Sequence, residues 1–328
     1  MQMNIDMIEA AAARLKGHAR VTPLLNASFL DEIAGRRVFL KTEALQHTGS
    51  FKFRGGWSAV SALTDNALKA GVIAFSSGNH AQGVALAARA HGTRAVIVMP
   101  ADAPQTKIDN TRALGADVVL YDRETEDRQA IGAELSETRG LTLIKPFDEP
   151  QVIAGQGTCG LEIAAQAAEL GVEASEVLVC CGGGGLTSGI ALALEAKAPH
   201  LTTRPVEPAG FDDVTRSLIA GEIKANPSQS GSICDAIVTQ QPGDLTFPIM
   251  QRLCGAGLVV PDEDCLRAMA LAFSRLKIVL EPGGAIALAA ALFHGDQIKG
   301  DDVIAVASGG NVDAAQFQDA LTKYGDTA

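Results

Sequence analysis

The strongest constraint on this chain is a rhythm. Short β-branched runs alternate with Ala-rich amphipathic segments along almost its whole length, and strands spaced by helices in this way bury both faces only as a parallel sheet flanked by helices. VFLK (38–41), VIAF (72–75), AVIVM (95–99), DVVLY (117–121), EVLVC (176–180) and VIAVA (303–307) are expected as strands. Residues 81–90, 105–114 and 161–170 carry the helical pattern between them. An α/β class follows. PFDEP (146–150) is expected to be extended chain crossing between two lobes, and one doubly wound domain is the alternative.

Composition removes several function classes. The 328 residues suffice for a sizeable core, yet no apolar run reaches the length of a bilayer span. The start, MQMNIDMIEAAAARLK, carries acids and lacks the basic and apolar regions of a signal peptide, so a cytoplasmic location is expected. A formal charge of −11 without a basic patch repels phosphate backbones, and no nucleic-acid or membrane partner is expected. None of the six cysteines, Cys159, Cys180, Cys181, Cys234, Cys254 and Cys265, forms a C-x-x-C pair. Reduced thiols packed as small apolar groups are the reading.

Chemistry first surfaces in EVLVCCGGGGLTSGIALAL, a strand, then Gly182, Gly183, Gly184 and Gly185, then a helix beginning near Leu186. Four glycines let backbone approach a ligand closely, and the helix N-terminus offers free amides and a positive dipole end, which suits a phosphate. A mere tight turn would not require so many. The next expected strand ends at Glu207, about where dinucleotide-binding units place a ribose-binding acid, so an NAD-dependent dehydrogenase is a rival. Against it, Ser188 occupies the last position of G-x-G-x-x-G. No Gly-Lys-Ser/Thr follows, which disfavours a nucleoside triphosphatase.

A second signal is Lys52 in KTEALQHTGSFKFRGG, between Phe51 and Phe53 and ahead of Arg54. Apolar surroundings disfavour the ammonium form, easing condensation of the amine with an aldehyde. A solvated surface lysine with a packed stem is the ordinary alternative.

HTGSFKFRGG, SSGNHAQG (76–83), VIAGQGT (152–158), GGGG (182–185), VEP (206–208), EPGGA (281–285) and SGGNVD (308–313) together resemble the threonine/serine dehydratase and serine racemase family of fold-type II pyridoxal-phosphate enzymes. The motifs run in the family's order over almost the whole chain. The resemblance implies a tryptophan synthase β-like fold with a large cofactor-binding lobe (1–59 and 149–328), a small mobile lobe (60–148), and pyridoxal 5'-phosphate as a Schiff base on Lys52. It also implies Gly182 to Gly185 and the Leu186 amide as phosphate cup, Phe51 beside the cofactor ring, Asn79 at the ring's 3-oxygen and Ser308 at the pyridine nitrogen. A hydroxyl there softens the electron sink, which suits prompt loss of a β-leaving group.

Ser76, Ser77, Gly78 and Asn79, with His80, form the turn before a helix, where amides and hydroxyls can receive a substrate carboxylate; simple capping by the serines is compatible with this. His80 is read as a hydrogen-bonding residue and not a base. Sulfhydrylases and threonine synthases of the same fold usually carry an Asp after the reactive lysine, where Phe53 stands here. Gly56 replaces the more usual Ala. Only fifteen residues follow Asp313, too few for the regulatory domain of biosynthetic threonine deaminases.

The implied reaction removes water and ammonia from a small β-hydroxy amino acid, L-threonine or L-serine first and 3-hydroxyaspartate as an alternative, for which Arg128 is the candidate distal-carboxylate partner, a solvated helix residue being the favoured reading of it. Serine racemisation is the other alternative, Ser77 matching the racemases' second acid/base. The family also implies a homodimer or higher homo-oligomer. In its metal-dependent members, acids at the positions of Glu207 and Asp213, with the Phe211 carbonyl, hold Mg2+, Mn2+ or Ca2+. The competing reading has Asp212 and Asp213 simply start a helix.

Overall fold

A computed structural model describes residues 3–325 except 77, 104, 123, 174 and 229, with the side chains of 106, 128 and 129 also outside the description. Arg128 as a carboxylate partner and Ser77 as an acid/base therefore fall outside the described residues.

Among the described residues ten strands form two sheets: β1 Leu24–Asn26, β2 Arg37–Lys41, β3 Val72–Phe75, β4 Ala95–Pro100, β5 Asp117–Tyr121, β6 Thr142–Leu143, β7 Ser175–Cys180, β8 Leu201–Pro208, β9 Leu258–Val260 and β10 Asp302–Val306. The larger has the order β1-β2-β10-β7-β8-β9 and the smaller β5-β4-β3-β6. All pairings are parallel except β1 with β2. Val38, Leu40, Val177, Leu178, Ile304 and Val306 anchor the larger core. A second core gathers Val72, Ala74, Ile97 and Met99 with Phe53 and Trp57, so the helix Lys52–Ser61 packs with the smaller sheet's elements.

All six expected strands are present. One helix starts much earlier than its apolar pattern suggests: it runs Pro150–Glu169, where 161–170 is expected. Pro150 sits in its first turn, where a missing N–H costs nothing, and the Glu149 carboxylate caps Gln151 N and Val152 N at 3.0 and 2.6 Å. The glycines of VIAGQGT serve as contact points in this helix. A Cβ on Gly155 would lie 2.5 Å from Arg54 O, and one on Gly157 2.9 Å from Gly189 O. The helix thus seats the lysine helix on one side and the helix Gly185–Lys197 on the other.

A further close crossing sets the start of the lysine helix against the helix Asn79–Ala90. A Cβ on Gly56 would stand 2.9 Å from the Gly83 carbonyl carbon, and one on Gly83 the same distance from that of Lys52. The helices Lys52–Ser61 and Asn79–Ala90 touch backbone to backbone there. Gly56 is therefore a packing requirement in this chain.

Candidate active site

Both sheets present strand C-termini to one cleft, the usual place for ligands in parallel sheets. Its volume is about 1000 Å³, and its walls include Phe51, Lys52, Ser76, Gly78, Asn79, His80, Gly182, Gly183, Gly184, Gly185, Leu186 and Ser308. Glu207, Phe211 and Asp213 are not among its lining residues.

The glycine loop follows β7 directly. Gly184, at φ 88°, caps the helix Gly185–Lys197, whose first amides have no partner within the helix. A Cβ on any of the four glycines would come within 3.0 Å of other atoms: Ile237 O at Gly182, Phe147 at Gly183 and Gly185, and Met250 Cε at Gly184. Close packing as well as backbone conformation thus demands glycine. Thr246 Oγ1 donates to Gly183 O at 2.6 Å and fixes the loop from behind.

Lys52 begins its helix just after an isolated bridge between Ser50 and Gly309, and Phe51 N donates to Ser308 O at 3.0 Å. These bonds set Lys52 and Ser308 side by side beyond β10. The lysine Nζ donates to Pro146 O at 2.9 Å and lies 5.1 Å from the Phe51 ring centre. Burial lowers its pKa to about 8 despite opposing attraction from Cys180 and Glu281. Roughly a tenth of the amine is then unprotonated at pH 7.

At the turn, Gly78 N donates to Ser76 Oγ at 3.1 Å. His80 points inward, with Nε2 2.9 Å from Ile144 O. Burial, then the Lys52 charge, push its pKa down to about 3, so the imidazole is neutral and donates to that carbonyl. Asn79 donates to Glu281 Oε1 at 2.7 Å and accepts from Asn311 Nδ2 at 2.6 Å. Burial raises Cys180 to about 11, keeping this cleft-lining cysteine a thiol.

Glu207 and Asp213 lie behind the loop, fully buried. Both Glu207 oxygens are engaged, accepting from Val214 N at 2.8 Å and from Thr215 N and Oγ1 at 2.7 and 2.6 Å. Glu207 thereby caps the helix Asp213–Ala220, whereas Asp212 makes no side-chain capping bond. Asp212 and Asp213 do stand at the start of that helix, Asp213 in its first turn, but the side-chain cap comes from Glu207, which is thereby no free ribose acceptor. Burial raises Glu207 to about 8 and Asp213 to about 6. Asp213 Oδ1 accepts from Asn226 Nδ2 at 2.6 Å while the buried Oδ2 has no partner.

A glycine loop at a helix N-terminus and a half-buried lysine of lowered pKa share one cleft, and comparison with known proteins gives the class. The chain belongs to the family described as "Pyridoxal-phosphate dependent enzyme", which it matches over residues 15–309. It is 44% identical over 316 residues to an L-threo-3-hydroxyaspartate ammonia-lyase of Pseudomonas sp, covering 96% of this chain and 97% of that one. A serine racemase of Schizosaccharomyces pombe is 39% identical over 318 residues, 97% of each chain. The crystal structure of a threonine deaminase from T.th. superposes with a TM-score of 0.89 at 44% identity, covering 94% of this chain and 99% of that one. The fold is that of fold-type II enzymes, and the dehydrogenase alternative falls.

The cofactor fits the residues present. Beside the glycines, Thr239 Oγ1 is buried without a partner in a residue lining the cleft, an unmet polar group where an anion is expected. Three residues carry more of the site than their motifs suggested. Phe147 packs on the glycine loop, while Glu281 and Asn311 hold Asn79. Their signal was present only as membership of PFDEP, EPGGA and SGGNVD, because the contacts join positions far apart in sequence.

Proposed function

We propose that the chain is a pyridoxal-phosphate-dependent ammonia-lyase that removes water and ammonia from a small L-β-hydroxy amino acid, L-threonine and L-serine foremost. The carrying observation is Lys52, its amine pKa lowered to about 8, in one cleft with the glycine loop and Ser76, Gly78 and Asn79. When bound, the cofactor supplies an electron sink for the charge left at the substrate's α-carbon. Lys52 would hold the cofactor through Nζ and would serve as the base for the substrate's α-proton. The amides and hydroxyls after β3 fix the substrate carboxylate, and Gly182 to Gly185 with the Leu186 amide hold phosphate. Loss of hydroxide with a proton, followed by hydrolysis of the remaining C–N bond, gives a 2-oxo acid and ammonia.

The two lobes enter the same reading. Residues 60–148 form the small mobile lobe and 1–59 with 149–328 the large one, so that closure excludes water. We also read the enzyme as a cytoplasmic homodimer or higher homo-oligomer. No described helix is long and apolar enough to cross a membrane.

The partnerless Asp213 Oδ2 favours a cation in the loop behind the glycines. Asp213, a remaining lone pair of Glu207 and the Phe211 carbonyl would hold Mg2+, Mn2+ or Ca2+, steadying the loop. Exhaustive chelation should lower the unfolding temperature and magnesium should restore it, with Asp213→Ala abolishing the response. No response in the wild type would remove the cation from this reading.

Purified protein reduced with borohydride should carry the cofactor on Lys52, and it should release ammonia from L-threonine and L-serine. A protein that turns L-serine into D-serine faster than into pyruvate would be a racemase instead. Preference for 3-hydroxyaspartate over both would move the substrate assignment to that dicarboxylate. A protein that binds amino acids without turnover would refute the enzyme.

A further inference from the structure

Glu281 stands at the N-cap of the helix Pro282–Phe293, yet its side chain makes no capping bond to that helix. The carboxylate turns instead across the cleft to Asn79, 202 positions away in sequence. Room is left for it: a Cβ on Gly309 would lie 2.0 Å from Glu281 Oε1, so only glycine permits this path. Gly49 plays the matching part for Asn311, since a Cβ there would meet Asn311 Oδ1 at 2.6 Å.

The resulting chain has a determined sense. Thr48 O can only accept, so Asn311 must turn its amide nitrogen to it, at 2.7 Å. That same nitrogen donates to Asn79 at 2.6 Å, which requires Asn79 to present Oδ1. Asn79 Nδ2 is left facing Glu281 at 2.7 Å, and a carboxylate accepts the bond. One Nδ2 hydrogen of Asn79 remains unassigned on a residue lining the cleft. A backbone carbonyl at one end and a carboxylate at the other thus exclude the flipped amide, which would set donor against donor and acceptor against acceptor.

We propose that Glu281 and Asn311 are positioning residues that lock the Asn79 carboxamide in one sense, keeping its second Nδ2 hydrogen as a donor for the ring oxygen of the cofactor. This rests on the reading that Asn79 meets that oxygen. A donor of fixed sense stabilises the ionised form of a ring oxygen and hence the form of the cofactor that absorbs at longer wavelength. The lock weakens when Glu281 takes a proton. Its carboxyl, raised by burial to about 7, feels Lys52 and Lys107 lowering it, Asp235 raising it and the Cys180 thiol nearby.

The test uses holoenzyme absorbance against pH and the affinity of cofactor-stripped protein for added pyridoxal phosphate. Wild type should change its visible band through a transition near neutrality. Glu281→Gln, whose amide oxygen still accepts from Asn79 but cannot ionise, should keep the band and lose the transition. Asn311→Ala, which removes the bonds to both Thr48 O and Asn79 Oδ1, should weaken cofactor affinity about tenfold and broaden the band. Asn311→Ser, a milder variant, should fall between, and far-ultraviolet circular dichroism checks that each variant is folded. A Glu281→Gln transition identical to that of wild type, or wild-type affinity in both folded Asn311 variants, overturns the proposal. Wild-type protein with no visible band and no borohydride-fixed cofactor would defeat the underlying cofactor reading instead.

Discussion

Two clusters of ionisable groups lie close together here and are treated in opposite ways. Behind the lysine helix, Arg54 pairs with Glu43 and Glu162 at 2.7 Å each, while Lys41 pairs with Glu162 at 2.6 Å and donates to Gln166 at 2.9 Å. Arg54, Lys41 and Glu43 are all fully buried. Burial pushes the Glu43 carboxyl up, but the Arg54 guanidinium outweighs this and holds it below the usual carboxylate range. In the cleft, a few residues away, Lys52 is lowered to about 8, His80 to about 3 and Glu281 raised to about 7. Burial is the leading cause in every case. Partners that restore the charged form are supplied in the first cluster and withheld in the second.

The difference separates holding from reacting. The compensated cluster ties β2, the turn after it, the lysine helix and the helix Pro150–Glu169 into one frame. The uncompensated one keeps Lys52 and Glu281 close to changing protonation state, the condition acid–base chemistry requires, while His80 stays neutral.

The largest expected effect breaks the reacting side alone. Lys52→Ala should lower ammonia release by about 10³-fold or more, because the chain loses both its cofactor anchor and its base. The folded frame should survive, with a cooperative unfolding transition by circular dichroism. Residual activity within tenfold of wild type would mean that another group takes the proton.

The converse experiment breaks the frame. Arg54→Met leaves Glu43 buried without its cation and should cost about 3–5 kcal/mol in denaturant unfolding. Glu43's folded pKa lies below its unfolded value, so its contribution is present above about pH 4.5 and is lost as acid protonates the folded carboxylate. The wild-type advantage over Arg54→Met should therefore shrink in acid. A cost under about 1 kcal/mol would show the network to be dispensable.

How far these clusters were legible in the sequence depends on the range of their contacts. Alternating runs gave the strands because period and composition are local properties. The motif series led to Lys52, the turn and the glycine loop, each of which is contiguous. The start of the helix Pro150–Glu169 was hidden because Gly155, Gly157 and Gly160 weaken helical propensity while serving tight packing against other helices. Arg54 to Glu162 spans 108 positions and Asn79 to Asn311 spans 232, and nothing in either local pattern announces its partner.

The reacting cluster carries a stability cost of its own. The folded pKa of Lys52 lies below its unfolded value, so between about pH 8 and 10.5 the unfolded chain binds more protons and stability rises with pH. Below about 8 the penalty is present in full. Cofactor-free Lys52→Met should accordingly be more stable than wild type at pH 7, by roughly 1–2 kcal/mol once partial exposure is discounted. That gain should vanish above about pH 10.5 in urea titrations. A pH-independent gain would trace to packing of the methionine, and no gain would mean that the lysine is well solvated.

The smallest effect on stability lies at the mouth of the cleft, where Lys107 and Asp235 stand 3.8 Å apart with the aspartate side chain 73% exposed. The frame's pairs are near 2.7 Å and buried, whereas this one is long and open to solvent. Breaking it should change unfolding free energy by less than about 0.5 kcal/mol. Yet both groups act on Glu281, Asp235 raising its carboxyl and Lys107 lowering it. Side-chain carboxyl NMR of cofactor-free protein should therefore see the Glu281 titration move to lower pH in Asp235→Asn and to higher pH in Lys107→Met. Opposite shifts without a change in stability would mark the pair as part of the reacting cluster's electrostatics and not of the frame. Shifts of the same sign would instead indicate that the substitutions change Glu281's burial, and a loss of several kcal/mol would place the pair with the frame.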